Sequence, residues 1–420
     1  MIFNETKFNK NWRLKNLNNL GDFNRGKSKH RPRNDKKLFI DGKYPLIQTG
    51  DVTKANLFIK KHIQNYNDFG LQQSKIWKKN TLCITIAANI AETSILSYPA
   101  CFPDSVVGFV ANKEETSELF MHYIFSFIRN SIQGSVKGSV QDNINIEYLS
   151  ELKFRIPSKE DQIKITNVLT QIDNLIDTKN EITEKIFDFL GNIYDFWFIQ
   201  FKEGLKKNNN LKRKLVWNKT LEKKIPENWK VHKINKFLKI LSGYSFKSKD
   251  YEKTNGKYKI ITIKNVQENN LTTTDVDTIN SLPKKIKDHI KLKRGDILIS
   301  LTGNVGRIAT VHSDNLLLNQ RVGKFETQKK LLYYFLFFFK RKENKTRLIN
   351  IANGSAQDNL SPIDMTDDYF LLPDDYILEK FNKFCIPLME THIENSNQIE
   401  ELTKLKNTLL PMLITGQLKV

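Results

Sequence analysis

Gly138-Ser139-Val140-Gln141-Asp142-Asn143 returns as Gly354-Ser355-Ala356-Gln357-Asp358-Asn359, 216 residues later. Two further anchors keep nearly the same offset. Gly42-Lys43-Tyr44 returns as Gly256-Lys257-Tyr258, 214 residues on, and Pro157 and Pro373, each opening a long helical segment, lie 216 apart. A period this long means two copies of one domain, not a solenoid of short units. Two similar domains on one chain imply two similar ligands, or two halves of one ligand.

Outward from these anchors, each copy reads as a globular segment followed by a long helix. Residues 82–86 and 106–110 are strand candidates, and 118–131 has helical spacing. Ile165, Leu169, Ile172, Ile176, Thr183, Ile186, Leu190, Ile193 and Trp197 then recur mostly at steps of three or four. A stripe this narrow wants a partner helix. Ser158 is placed to cap that helix, with Asp161 where a capping box takes an acid. In the second copy, 258–266, 295–300 and 305–311 are β-type. The apolar run 331–339 reads as a buried helix, and a second long helix is expected from about 375 to 413, with Ile393, Ile399, Leu402, Leu409 and Leu413 on its stripe. The stretch between the copies is basic and polar, with few anchors, and reads as a linker. Two lone long helices bury their stripes most cheaply against each other, as an antiparallel pair.

The expected fold class is therefore α+β: two pseudo-repeated globular α/β domains separated by two long helices pairing as an antiparallel coiled coil. The expected boundaries are 1–156 for the first globular domain, 157–201 for the first helical spacer and 202–226 for the linker, with 227–373 for the second globular domain and 374–420 for the second spacer.

The chain has 420 residues, 39% of them hydrophobic. Its mean hydropathy is −0.48, as for a soluble, core-forming protein. No apolar run is long enough to span a bilayer, and the first residues lack the apolar region of a signal peptide. Three cysteines without metal-type spacing argue for a reducing cytoplasm and against a disulfide framework. Lys plus Arg number 67 against 46 Asp plus Glu, a net charge of +21. Such a surplus points to a polyanionic partner, nucleic acid first and a membrane surface second. A bias toward Lys, Asn and Ile explains part of the charge but not its clustering.

Gly21-Asp22-Phe23-Asn24-Arg25-Gly26-Lys27-Ser28 fits the pattern of a phosphate-binding loop, which works only between a buried strand and a helix. Here no apolar residue follows until Leu38, so no packed helix begins and nucleotide binding is not expected. Residues 25–37 read better as a basic loop, seven of thirteen being Lys or Arg. Arg25, Arg31 and Arg33 suit bidentate contacts to phosphate or guanine, Lys27 and Lys29 suit phosphate, and His30 sits among them. A solvated charge run is the competing reading, and Lys247 and Lys249 recur at the matching place in copy two. Thr302-Gly303-Asn304-Val305-Gly306-Arg307 reads as a tight turn with Asn304 and Arg307 on its rim. Asn319, Gln320 and Arg321 add the side-chain types that read purines in the major groove; a structural turn role fits them equally. For the repeated Gln-Asp-Asn, capping and turning is the favoured role. No methyltransferase tetrapeptide, cofactor loop, metal spacing or paired carboxylates stand out.

Pro157 and Glu160-Asp161-Gln162 lead into Ile172-Asp173 and Leu175-Ile176. With Gly243-Tyr244-Ser245-Phe246-Lys247-Ser248, Gly295-Asp296-Ile297-Leu298, Thr302 to Gly306 leading to Asn319-Gln320, and the closing 405–418, the chain resembles the specificity (S) subunit of type I restriction–modification enzymes over nearly its whole length. The resemblance implies two target recognition domains, each reading half of an interrupted double-stranded DNA sequence. It implies helices that space those domains and dock two modification subunits, with restriction subunits alongside. It implies no catalytic residues and no cofactor on this chain, S-adenosylmethionine, ATP and Mg being expected on the partners. Tyr244 and Phe246 join the DNA-binding candidates on this ground. Copy one shows no counterpart of the Thr-Gly-Asn-Val-Gly turn; Ala87-Ala88-Asn89-Ile90-Ala91 is the stretch expected in its place, and the two domains are expected to read different sequences. The rival readings are a DNA adenine methyltransferase with a fused recognition region, and a paired-coil scaffold whose charge is compositional.

Overall fold

A computed structural model of the chain describes residues 9–137, 144–201, 206–207, 211–212, 214–252, 256–274, 276–354 and 359–419. Of the repeated hexapeptide, Gly138 to Asn143 and Ser355 to Asp358 lie outside the described residues, as do Lys202 and Arg213 of the basic stretch. The chain divides into two compact units, Met1–Asp177 with Leu402–Val420, and Thr178–Glu401.

The duplication is visible in strand register. In the first unit, Gly21–Arg25, Val106–Ala111, Leu82–Thr85, Thr93–Leu96 and Phe58–Ile59 form one sheet in that order. In the second, Leu238–Ser242, Val322–Thr327, Ile297–Ser300 and Ile308–Thr310 do the same. Gly21 faces Ala111 where Leu238 faces Thr327, and Leu46 faces Cys101 where Ile260 faces Leu317. At the end of each domain Arg13 faces Ile156 as Lys230 faces Leu372. A one-residue slip would turn every side chain to the other face, so matched register means matched cores. The central strands Leu82–Thr85 and Ile297–Ser300 are buried throughout, which explains why they read as unbroken apolar runs and not as alternating ones.

The first long helix runs Lys159–Tyr194 and continues as a π turn over Asp195–Ile199. The second runs Asp375–Ile414. Ser158 Oγ accepts the Asp161 amide at 3.1 Å, as the capping pattern predicts, and donates to the Asp161 carboxylate, where a full capping box would place the Ser158 amide. Asp374, at the same place in copy two, accepts the Ile377 amide at 3.0 Å. In the first unit, Ile165 and Leu169 share a core cluster with Leu410, Leu413 and Ile414. In the second, Lys179 meets Asn395, Phe187 meets His392 and Tyr194 meets Phe381. Rising numbers on one helix meet falling numbers on the other, so the pairing is antiparallel.

The two pairings differ in chemistry. Asp173 in the first unit has a fully buried carboxylate that accepts from Lys406 Nζ at 2.6 Å, Tyr123 Oη at 2.8 Å and Asn56 Nδ2 at 3.0 Å. One repeat away, Met389 and Leu190 stand at the equivalent positions, both in the apolar core of the second unit.

The basic stretch between the copies differs from the expected linker. Leu215–Asn218 pairs with Lys223–Pro226 as a hairpin. Ile225, Trp229 and half-buried Val216 anchor it on the second core, a contribution that the surrounding lysines mask in the sequence. Among the described residues, no helix is long and apolar enough to cross a membrane.

Candidate nucleic-acid interface

Each domain assembles its candidate residues at one end of its sheet, around a glycine that only close packing explains. Strand Gly21–Arg25 leaves the sheet at Gly26, whose amide donates to Val106 O at 2.9 Å. A Cβ on Gly26 would stand 2.1 Å from Phe102 O. In copy two, strand Leu238–Ser242 exits at Gly243, where a Cβ would meet the carbonyls of Leu318 and Asn319 at 2.3 Å. The next amides follow suit, Lys27 N to Phe102 O at 3.1 Å and Tyr244 N to Leu318 O at 2.9 Å. No helix follows residue 28 before a three-residue turn at Lys36–Leu38, so the phosphate-loop pattern has no helix to serve it.

Beyond these exits the copies diverge. In the first, Arg25, Lys27 and Lys29 are exposed and have no side-chain partner among the described residues. Arg31 and Arg33 are already engaged. Arg31 donates to the carbonyls of Ser28 and His30 at 2.6 and 2.9 Å, and Arg33 holds both oxygens of Asp104 at 2.8 and 2.9 Å. His30 Nε2 lies 2.8 Å from Asp35, whose carboxyl is held below its usual range by the Lys37 amide and by His30. In the second copy, Tyr244 and Phe246 pack edge to face at 5.0 Å and lean on the core beneath. They anchor the loop that carries exposed Lys247 and Lys249. Gln320 N donates to Tyr244 O at 3.0 Å, which ties Asn319, Gln320 and Arg321 to this loop. Gln320 and Arg321 are exposed and Asn319 half-buried.

The tight turn occurs in both copies, so copy one does have a counterpart despite its different sequence. Ser300 Oγ donates to Asn304 O and accepts the Arg307 amide at 3.0 Å, while the Gly306 amide donates to Ser300 O at 3.0 Å. Thr85 Oγ1 donates to Asn89 O and accepts the Glu92 amide at 3.0 Å, while the Ala91 amide donates to Thr85 O at 2.8 Å. Gly303 and Gly306 have φ of 67° and 80°; Ala88 and Ala91 copy them at 62° and 61°. Alanine in this region is disfavoured by roughly 1–2 kcal/mol, and glycine gives back part of that through its freer unfolded chain. Ala88→Gly with Ala91→Gly is expected to stabilise the first unit by about 1 kcal/mol, or ~2–4 °C in a thermal melt; an unchanged or lower midpoint counts against the strain.

Several contacts here lie beyond sequence reading. Arg307 donates to Gln267 at 2.7 Å, and Asn89 donates to Thr53 at 3.2 Å from the equivalent side of its own turn. Position 307 corresponds to Glu92, which holds Arg129 at 2.8 Å, so the rim changes sign between copies. Ile144 and Leu360, just after the repeated hexapeptides, donate to Ile86 O and Leu301 O beside the turns, at 3.1 and 2.8 Å. Among the described residues, no group of His, Cys, Asp and Glu is placed to hold a metal ion.

Two domains of one fold, each with a basic, turn-lined edge of its own chemistry, joined by long helices, define a duplicated recognition protein. The family described as type I restriction modification DNA specificity domain matches residues 9–187 and again 226–404. The chain belongs to that family and is a specificity component, not a catalytic one. It is 27% identical to the type I restriction enzyme MjaIX specificity subunit of Methanocaldococcus jannaschii over all of this chain and 96% of that one. It is 20% identical to the HindI specificity subunit of Haemophilus influenzae, over 92% of this chain and 97% of that one. A crystal structure of an S subunit from M. genitalium shares the fold, with a TM-score of 0.56 and 17% identity over 96% of this chain and 97% of that one. These matches lend no support to a self-contained adenine methyltransferase.

Proposed function

We propose that the chain reads a two-part duplex DNA target, one half per recognition domain, for a type I restriction–modification complex. The observation that carries this reading is the pairing of equal scaffolds with unequal edges: the Gly26 exit leads into Lys27 and Lys29, the Gly243 exit into Tyr244 and Phe246. Arg25, Lys27 and Lys29 in the first domain, with Lys247, Lys249 and Arg321 in the second, are free to neutralise phosphates. Asn319 and Gln320 have the donors and acceptors for base edges, and Arg307, which already donates to Gln267, has further donors for phosphate. Arg31, Arg33 and His30 shape the first loop through their internal partners and present their remaining donors to the same groove. The test is the salt dependence of duplex binding. Log affinity should fall linearly with log salt, and Lys27→Gln with Lys29→Gln should make the slope shallower by about 2; an unchanged slope would remove these lysines from the interface.

The long helices are the proposed docking surface for two modification subunits and the restriction subunits, which carry S-adenosylmethionine, ATP and Mg. Leu175, Ile182, Phe189 and Phe196 recur every seven residues on the first long helix and are 40–53% exposed. A heptad-spaced apolar stripe left in water suits a further helix. Phe189→Asp with Phe196→Asp should abolish co-purification with the modification subunit while the chain keeps its own melting profile; retained assembly would place the docking surface elsewhere.

A further inference from the structure

The two turns, Ala87 to Ala91 and Thr302 to Gly306, keep one backbone path while four of their five side chains differ. Copy one holds two alanines in the left-handed region to preserve that path. A part held constant between two domains of unequal edges suits a contact common to both halves of the target, and only the sugar–phosphate backbone is common. At the tips, Ala88, Asn89, Gly303 and Asn304 are exposed, and the amides of Ala88, Asn89 and Asn304 have no acceptor among the described residues. Successive amides around a left-handed residue form a concavity that binds anions.

Cations flank both turns. In the first unit Ala91 and Glu92 open onto a cleft of about 320 Å³ lined also by Lys54, Arg129 and Lys406. His122 closes it, kept neutral by burial and by Lys406, which push its pKa down to about 3. In the second unit Arg307 leaves the turn itself, and a Cβ on Gly306 would lie 3.7 Å from the stem of Lys345. Arg129, Lys406 and Lys345 are each paired with a carboxylate, of Glu92, Asp173 and Glu268 in turn, and Arg307 with Gln267, so Lys54 is the cation here whose side chain has no partner among the described residues.

We infer that each turn is a phosphate clamp, whose tip amides hold one backbone phosphate per half-site and set the register of the domain on the duplex without reading a base. The inference rests on the DNA reading proposed above. It gives Asn304 a main-chain role and leaves base choice to the loops at 27–33, 244–249 and 319–321.

The test uses the full chain in complex with its modification subunits. Duplexes carrying one neutral methylphosphonate at successive positions should reveal a phosphate in each half-site whose neutralisation weakens binding about tenfold. An ester in place of the amide at residue 304, or at 89, deletes one N–H that bonds no other described residue. Each should weaken cognate and scrambled duplexes by the same factor and silence the methylphosphonate effect in its own half-site. Converting the first turn to the second, by Ala87→Thr, Ala88→Gly, Ile90→Val and Ala91→Gly, should leave the first half-site's sequence unchanged. A changed base preference in the converted protein, or an ester without effect, overturns the clamp. A wild-type complex that prefers no duplex sequence at all sinks the DNA reading itself, a separate outcome.

Discussion

Asp173→Ala is expected to destabilise the first unit by about 3–5 kcal/mol, because it leaves a buried lysine without its counter-charge. Asp173 is fully buried and gathers Lys406, Tyr123 and Asn56 at 2.6 to 3.0 Å. The Lys406 side chain is only 15% exposed, so water entering from the cleft beside it replaces only part of the lost carboxylate. Tyr123, whose hydroxyl is held protonated by burial and by Asp173, loses its acceptor in the same change. The second unit supplies the control. Its equivalent positions, Met389 and Leu190, are apolar and buried, so Asp173→Met with Lys406→Leu should recover most of the loss, as buried ion pairs replaced by well-packed apolar groups commonly do. Urea titration of the single and double variants measures both; a single variant as stable as wild type would show that the ion pair contributes nothing.

The second large effect is at Gly243. Its Cβ position is 2.3 Å from two backbone carbonyls, which belong to a chain fixed on both sides by hydrogen bonds. Gly243→Val cannot be absorbed by a rotamer change and should destabilise the second unit by about 3 kcal/mol, at the upper end of overpacking. The displaced segments are 244–249 and 318–321, so the protein that folds should lose preference for the second half-site and keep the first. Gly26→Val should do the converse. Competition binding with duplexes altered in one half at a time distinguishes the two, and equal loss in both halves would refute independent reading.

How far the sequence reaches depends on the range of the interactions. The core strands themselves follow from local apolar runs and were legible at 82–86, 106–110 and 295–300, whereas their pairing and register depend on distant partners and were not. The duplication was legible because Gly42 and Gly256, or Pro157 and Pro373, answer to backbone constraints that allow few substitutes. The Ala87–Ala91 turn was legible only by position, since alanine at positive φ leaves no compositional mark. Asp104, which takes up Arg33, is 71 residues away in sequence, so the internal engagement of part of the basic loop carries no local signal. The hairpin at 215–226 was hidden by lysines that outnumber its few anchors. In the second long helix, exposed Phe384 and Ile386 blur the stripe that buries Phe381, Cys385 and Met389.

The central claim is that two readers on one chain define one interrupted target. The direct measurement is base-resolved mapping of DNA methylation in cells that express this chain with its modification subunit. The account predicts adenine methylation at a single motif of two defined parts separated by a fixed run of unspecified bases. It also predicts that Gly243→Val degrades one part and Gly26→Val the other. A continuous motif, or one whose two parts respond together to either change, would contradict it.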